Sequence, residues 1–215
     1  MDIAAMIALF TGVALLAAKP GPGMLTVASK AISEGLESVL FFMAGTNLVK
    51  ILFFCLVVFG YQFIPDDIVF ISIMLKSAAS VYLIWLGIKG LQKFDLDLPG
   101  NVREQAKTGF WDNFSAGFML TASNPFDILF FAGILPTLFD LQTVGAPDIA
   151  LAAFIIVFAD AIVALSYAVP LSMTRNLFSE AVLRKVNTGA SIGIILVGLV
   201  IGYSALPAKD LLSVF

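Results

Sequence analysis

Apolar residues in this chain fall into long runs, and reading the runs against their breakers predicts six membrane-crossing helices. They cover residues 3–28, 38–63, 68–90, 110–138, 149–173 and 189–206. A helix needs about 20 mostly apolar residues to cross the bilayer core, and the runs meet or approach that length. Short polar stretches such as SKAISEGLE and IPDD separate most of them. One long polar connection, QKFDLDLPGNVREQAKTG at 92–109, divides the chain near its middle. The expected layout is a single transmembrane domain with a first repeat over 1–91, a linker over 92–109 and a second repeat over 110–215.

Two runs carry breakers that a spanning helix does not ordinarily hold. The first contains KPGPG, Lys19 to Gly23, and the fourth contains NPFD, Asn124 to Asp127. Proline lacks an N–H donor and disrupts a backbone bond one turn back, while glycine lets the chain leave helical geometry cheaply. Broken backbone at membrane depth is tolerated where protein buries it or where it lines a watery cavity.

Composition supports the helical membrane reading. The 215 residues are 60% hydrophobic and 13% charged, with a mean hydropathy of +1.01. Soluble domains are closer to half apolar and a quarter charged. An outer-membrane barrel would alternate polar and apolar positions, which these runs do not. A single cysteine, Cys55, excludes an intrachain disulfide or thiolate metal site, and the absence of histidine removes the commonest metal ligand. No cofactor, metal or nucleic-acid partner is expected. MDIAAMIALF has no positive region before its apolar run, which predicts a retained first span rather than a cleaved leader.

Charge position sets the expected orientation. Lys30, Lys89, Lys93, Arg103, Lys107, Arg175, Arg184 and Lys185 fall in or beside the loops joining spans 1–2, 3–4 and 5–6. The opposite side has Lys209 alone, with Asp2, Asp66, Asp67, Asp140 and Asp148. Basic loops stay in the cytoplasm, so both termini are expected outside it, in a multi-pass protein of a bacterial inner membrane.

Three spans, a long loop and three more spans suggest an internal repeat. Setting LKSAASVYLIWLGI over VNTGASIGIILVGL aligns Ser80 with Ser191, Ile84 with Ile195 and Gly87 with Gly198. KPGPG then corresponds in place to NPFD, and Asn47 to Asp160. An odd number of spans per half would make the repeats inverted in the membrane.

The combination of PGPG near the end of span one, ASKAISEGLESVLFFMAGTNLV, VYLIWLGIKGL and GFMLTASNPFDILFFAGILP resembles the LysE/RhtB family of amino-acid exporters. The resemblance covers the first four spans clearly and the last two loosely. It implies a six-helix secondary transporter that moves small amino acids or related metabolites outward. Three departures stand out: Gly23 where the family usually has Asp or Asn, Asn47 at an acidic position, and Phe126 where lysine commonly follows Asn-Pro. They leave the fold expectation intact and the substrate unnamed.

Four charges lie deep in the predicted spans: Lys19, Lys50, Asp127 and Asp160. Unpaired, they would cost about 10 kcal/mol in all on insertion scales. Pairing across the halves offsets this, and the expected pairs are Lys19 with Asp127 and Lys50 with Asp160. Lys50 lies one helical turn from Asn47. The paired breaks point to a substrate site formed by Lys19, Pro20, Gly21, Pro22, Asn47, Asn124, Pro125 and Asp127. Lys50 and Asp160 form the coupling or buried ion pair, and Asp160 or Asp127 is the candidate proton carrier. A structural kink or a purely structural ion pair is the plainer reading of the same residues.

The chain has no Gly-x-x-x-x-Gly-Lys-Ser/Thr loop, so transport would draw on protons or another coupling ion. A divalent-cation transporter of the same fold is the alternative, opposed by the lysines beside the carboxylates. A redox protein would need a cysteine pair, and no nucleophile–base constellation suggests an enzyme. Gly-x-x-x-Gly spacings in GASIG and GLVIG predict close packing inside the bundle or, less favoured, a homodimer seam.

Overall fold

In the computed structural model, residues 2–19, 21–62, 69–92, 108–138, 141, 144–173 and 180–206 are described. They form helices α1 (Ile3–Ala18), α2 (Pro22–Ser33), α3 (Leu36–Gln62), α4 (Val69–Gln92), α5 (Phe110–Ala122), α6 (Pro125–Leu138), α7 (Ala146–Met173) and α8 (Glu180–Ala205). Parts of α3, α4, α7 and α8 are each long and apolar enough to cross a membrane. Helices α1 and α2 pass the same test only together, bent by 67°, as do α5 and α6, bent by 61°. Counting each bent pair as one span gives six spans, with the first and fourth broken at KPGPG and NPFD.

The boundaries differ from expectation in two places. SKAIS is the last part of α2, where the Ser33 hydroxyl is satisfied within the helix, its Oγ donating to Ser29 O at 2.8 Å. Helix α8 of the sixth span starts at Glu180, well before 189, and its early turns carry the exposed polar residues Arg184 and Lys185. Pro20 and most of the linker lie outside the described residues, as do Lys93, Arg103, Lys107, Arg175, Lys209, Asp66, Asp67 and Asp140.

Local chemistry accounts for the helix ends. Asp2 caps α1, its Oδ1 accepting from Ala5 N at 2.7 Å. Gly35, at φ +90°, takes the left-handed position after α2, and its N–H returns to Lys30 O at 2.9 Å.

Small residues let the helices approach closely. A Cβ on Gly45 of α3 would lie 2.0 Å from Phe114 O, and one on Gly117 of α5 would lie 2.1 Å from Phe42 O. On the α4–α8 seam, Gly87 faces Ser191 and Ile195, while Gly198 faces Ile84 and accepts from Ser80 Oγ at 2.8 Å. In GASIG and GLVIG, Gly193, Gly198 and Gly202 meet Leu15, Ile84 and Ser80 within the bundle. Trp85 and Trp111 stand exposed near the ends of α4 and α5 that adjoin the basic loops.

The two ends of the molecule pack differently. Toward the end that carries Asp2 and Asp148, helices α1 and α6 pack on each other and on α8, and α6 also packs on α4. Leu9, Val13, Phe54, Val58, Phe130, Phe131, Leu135 and Ile156 fill that half with one apolar core. Toward the basic end, α2 and α5 lean on α3, and α2 leans on α7 as well. That half holds a cavity.

Candidate functional site

The cavity lies where the broken helices meet and has a volume of about 480 Å³. That is within the usual range for small-molecule sites. Its polar wall is Lys19, Thr46, Lys50, Thr121, Ser123, Asn124, Asp127, Asp160 and Tyr167. Leu16, Phe42, Met43, Tyr82, Leu86, Leu120 and Phe126 supply the apolar wall.

Each break presents helix ends to this space. Helix α1 stops at Ala18, leaving the carbonyls of its last turn without intrahelical partners, and Lys19 is its C-cap. Helix α2 starts with Gly21 as N-cap and Pro22 in the first position, with no side-chain cap. The N–H groups of Gly23 and Met24 are therefore first-turn donors, and both residues line the cavity. The partial charges are opposite: negative at the end of α1 and positive at the start of α2. The second break is closed differently. Asn124 Oδ1 accepts from Phe126 N at 3.2 Å, Pro125 opens α6, and Asn124 Nδ2 donates to Asp127 Oδ2 at 2.9 Å.

Lys50 and Asp160, both more than nine-tenths buried, form an ion pair through Asp160 Oδ1. Asn47 Nδ2 donates to Asp160 Oδ2 at 2.9 Å and to Met43 O at 3.0 Å. Both oxygens of Asp160 are thus engaged. Asn47 Oδ1 is buried without a hydrogen bond, leaving an acceptor open beside the pair.

The expected pair of Lys19 with Asp127 is not formed. Lys19 Nζ turns toward α4, donating to Leu86 O at 3.5 Å and lying 5.4 Å from the centre of the Phe126 ring. Asp127 is held by Asn124 and feels Lys50 and Asp160 through space. The reason is geometric: Asp127 sits in the first turn of α6 and faces α3 and α7, whereas Lys19 caps α1 beside α4. Of the residues expected at the site, Lys19, Gly21, Pro22, Asn124, Pro125, Asp127, Lys50 and Asp160 line the cavity. Asn47 stands behind it on Asp160, and Pro20 lies outside the described residues.

Sequence reasoning missed Thr121 and Tyr167. Tyr167 stands two turns beyond Asp160 on the same helix, which spacing alone could have put on one face. It also missed a polar junction at the basic end of the two broken spans. Glu34, after α2, accepts from Lys30 Nζ at 3.1 Å, from Thr108 N at 3.2 Å and from the Thr108 hydroxyl. Asn113 of α5, fully buried, donates to Thr108 Oγ1 at 2.8 Å and to Gly109 O at 3.1 Å.

Burial alone would raise the Glu34 carboxyl, but the bonds from Thr108 and Lys30 outweigh it and hold the group at about 2, below its usual 4.5. A depressed acid stabilises the folded state above its unfolded value and loses that contribution as pH falls toward its folded one. The junction should hold from neutral pH to about 4.5 and weaken between there and about 2. Glu34→Gln should lower the thermal midpoint at pH 7 and remove this acid limb, measured by scanning calorimetry. Equal midpoints for parent and variant across that range would contradict the junction.

The comparisons with known proteins bear on what such a cavity serves. The family model for LysE-type translocators matches residues 14–205. The chain belongs to the LysE-type translocator family. It is also 32% identical over 148 residues, 67% of this chain and 69% of the relative, to an uncharacterised membrane protein of Synechocystis. No solved structure matches it significantly. This translocator is therefore an all-helical, multi-pass membrane protein, and its breaks lie inside the matched region.

Proposed function

We propose that this translocator is a secondary exporter of a small neutral amino acid or a related zwitterionic metabolite, driven by protons. The observation that carries the reading is that Lys19 and Asp127 border one cavity without pairing with each other. A zwitterion would satisfy both ends. Its carboxylate fits Lys19 and the first-turn N–H groups of α2, and its ammonium fits Asp127 and the carbonyl end of α1. The apolar wall from Phe42, Leu86, Leu120 and Phe126 suits an uncharged side chain.

The cavity lies toward the basic loops, while the other half is filled by the apolar core. With those loops in the cytoplasm, as the lysine bias favours, this form faces inward and is ready to load substrate for export from a bacterial inner membrane. Reciprocal contacts support an inverted repeat. On the α4–α8 seam, Gly87 meets Ser191 and Ile195 as Gly198 meets Ser80 and Ile84, which is the exchange the sequence alignment demands. In the same way α1 packs on α7 as α5 packs on α3. Such symmetry supplies an outward-facing form by exchanging the roles of the halves.

The test is a comparison of extracellular amino-acid pools in cells with and without the protein, fed with dipeptides. A selective outside excess of one neutral amino acid, several-fold or more, is expected. No change in any amino acid, with altered tolerance of divalent metals instead, would overturn the proposal.

A further inference from the structure

We infer that Asp127, and not Asp160, is the carboxylate at which proton and substrate compete, so that one proton enters for each molecule exported. The inference rests on the exporter reading and assigns its coupling to a residue.

The two carboxylates differ in what already holds them. Asp160 has one oxygen on the Lys50 ammonium and the other on the Asn47 amide. Protonating it would strand Lys50 in a low-dielectric interior. Asp127 has a single neutral partner, the Asn124 amide on Oδ2, and no second donor reaches it among the described residues. It lines the cavity, so a proton or an ammonium group can reach it from there.

The groups around Asp127 decide the charge balance. Helix α3 brings Lys50, and α7 brings Asp160 and Tyr167. Helix α4 contributes Tyr82, and among the described residues none of α8 lines the cavity. Lys19, at the α1 break, is only partly buried and is held on Leu86 O and the Phe126 ring. Lys50 and Asp160 cancel, which leaves Asp127 as the one uncompensated charge among the described cavity residues that are more than nine-tenths buried. An added proton neutralises it, and so does the ammonium of a bound amino acid. Closing the cavity around the bare carboxylate would desolvate it unpaired, which is costly at membrane depth. Occlusion is then favoured with a proton or with substrate, but not with neither. Exchange follows without a second ion site.

The experiment uses purified full-length protein in detergent, weakly buffered, with an equimolar mixture of neutral L-amino acids as the probe. The parent should release about one proton per bound amino acid, and its affinity should fall about tenfold per pH unit below the titration of Asp127. Asp127→Asn should release none and bind with little pH dependence, and Asp127→Glu should restore release. Retention of release in Asp127→Asn would move the proton off Asp127 and overturn the inference.

Should Asp127→Asn fail to fold, infrared difference spectra of the parent decide. Amino-acid addition at low pH should bleach a protonated-carboxyl band, and an unchanged band counts against the inference. Binding without proton release would sink the coupling scheme and leave the exporter standing. No binding of any amino acid by the parent would sink both.

Discussion

Lys50→Met and Asp160→Asn, made singly, are expected to accumulate poorly in the membrane, and the double variant is expected to regain the parental yield. The pair is more than nine-tenths buried, and each single change leaves a charge without its partner. Breaking such a pair costs about 3–5 kcal/mol, whereas replacing both members is often neutral. The two singles should not be equal. Lys50→Met leaves two buried carboxylates, Asp127 and Asp160, facing each other with no cation between them. Asp160→Asn leaves Lys50 free to turn to Asp127. The methionine variant should therefore be the worse, with folded yield down tenfold or more by fluorescence-detected gel filtration. Parental yield in both singles would mean that the pair is not buried in the membrane-embedded protein.

Much of this arrangement was legible in the sequence, because hydrocarbon punishes unpaired polar groups severely. A charge or a proline inside a long apolar run has few explanations, so KPGPG, NPFD, Lys50 and Asp160 announced themselves. The Lys50–Asp160 contact followed from placing Asn47 opposite Asp160 in the repeat. Lys19 was harder. Its long stem can reach either Asp127 or α4, and only the packing of α4 and α6 beside the first break puts Leu86 O and the Phe126 ring within its range. Thr108 and Asn113 were invisible for a different reason. Glu34, the partner of Thr108, lies far away in sequence, and Asn113 bonds to Thr108 and Gly109 beside it, so neither residue carries a signal of the junction.

Gly23→Leu is the second variant with a large expected effect. Gly23 lines the cavity in the first turn of α2, and a Cβ there would meet nothing within 4 Å. The larger side chain should fill the cavity without moving the fold, and leucine is the better helix former by about 1 kcal/mol. Yield should equal or exceed that of the parent while export falls at least tenfold. Gly117→Ala gives the contrast, since its single added carbon would press on Phe42 O. Lost yield is expected there, not selective loss of transport. Full export by Gly23→Leu would remove the cavity from the substrate's route.

We propose that the space between the two broken helices carries a zwitterion across the membrane. Counterflow in proteoliposomes tests this, with the purified protein, an unlabelled neutral amino acid inside and a trace of the same labelled compound outside. Transient accumulation of label by the parent is expected for at least one neutral amino acid, and none by Gly23→Leu at equal protein content. Failure of every neutral amino acid with the parent, or equal accumulation by parent and variant, would contradict it.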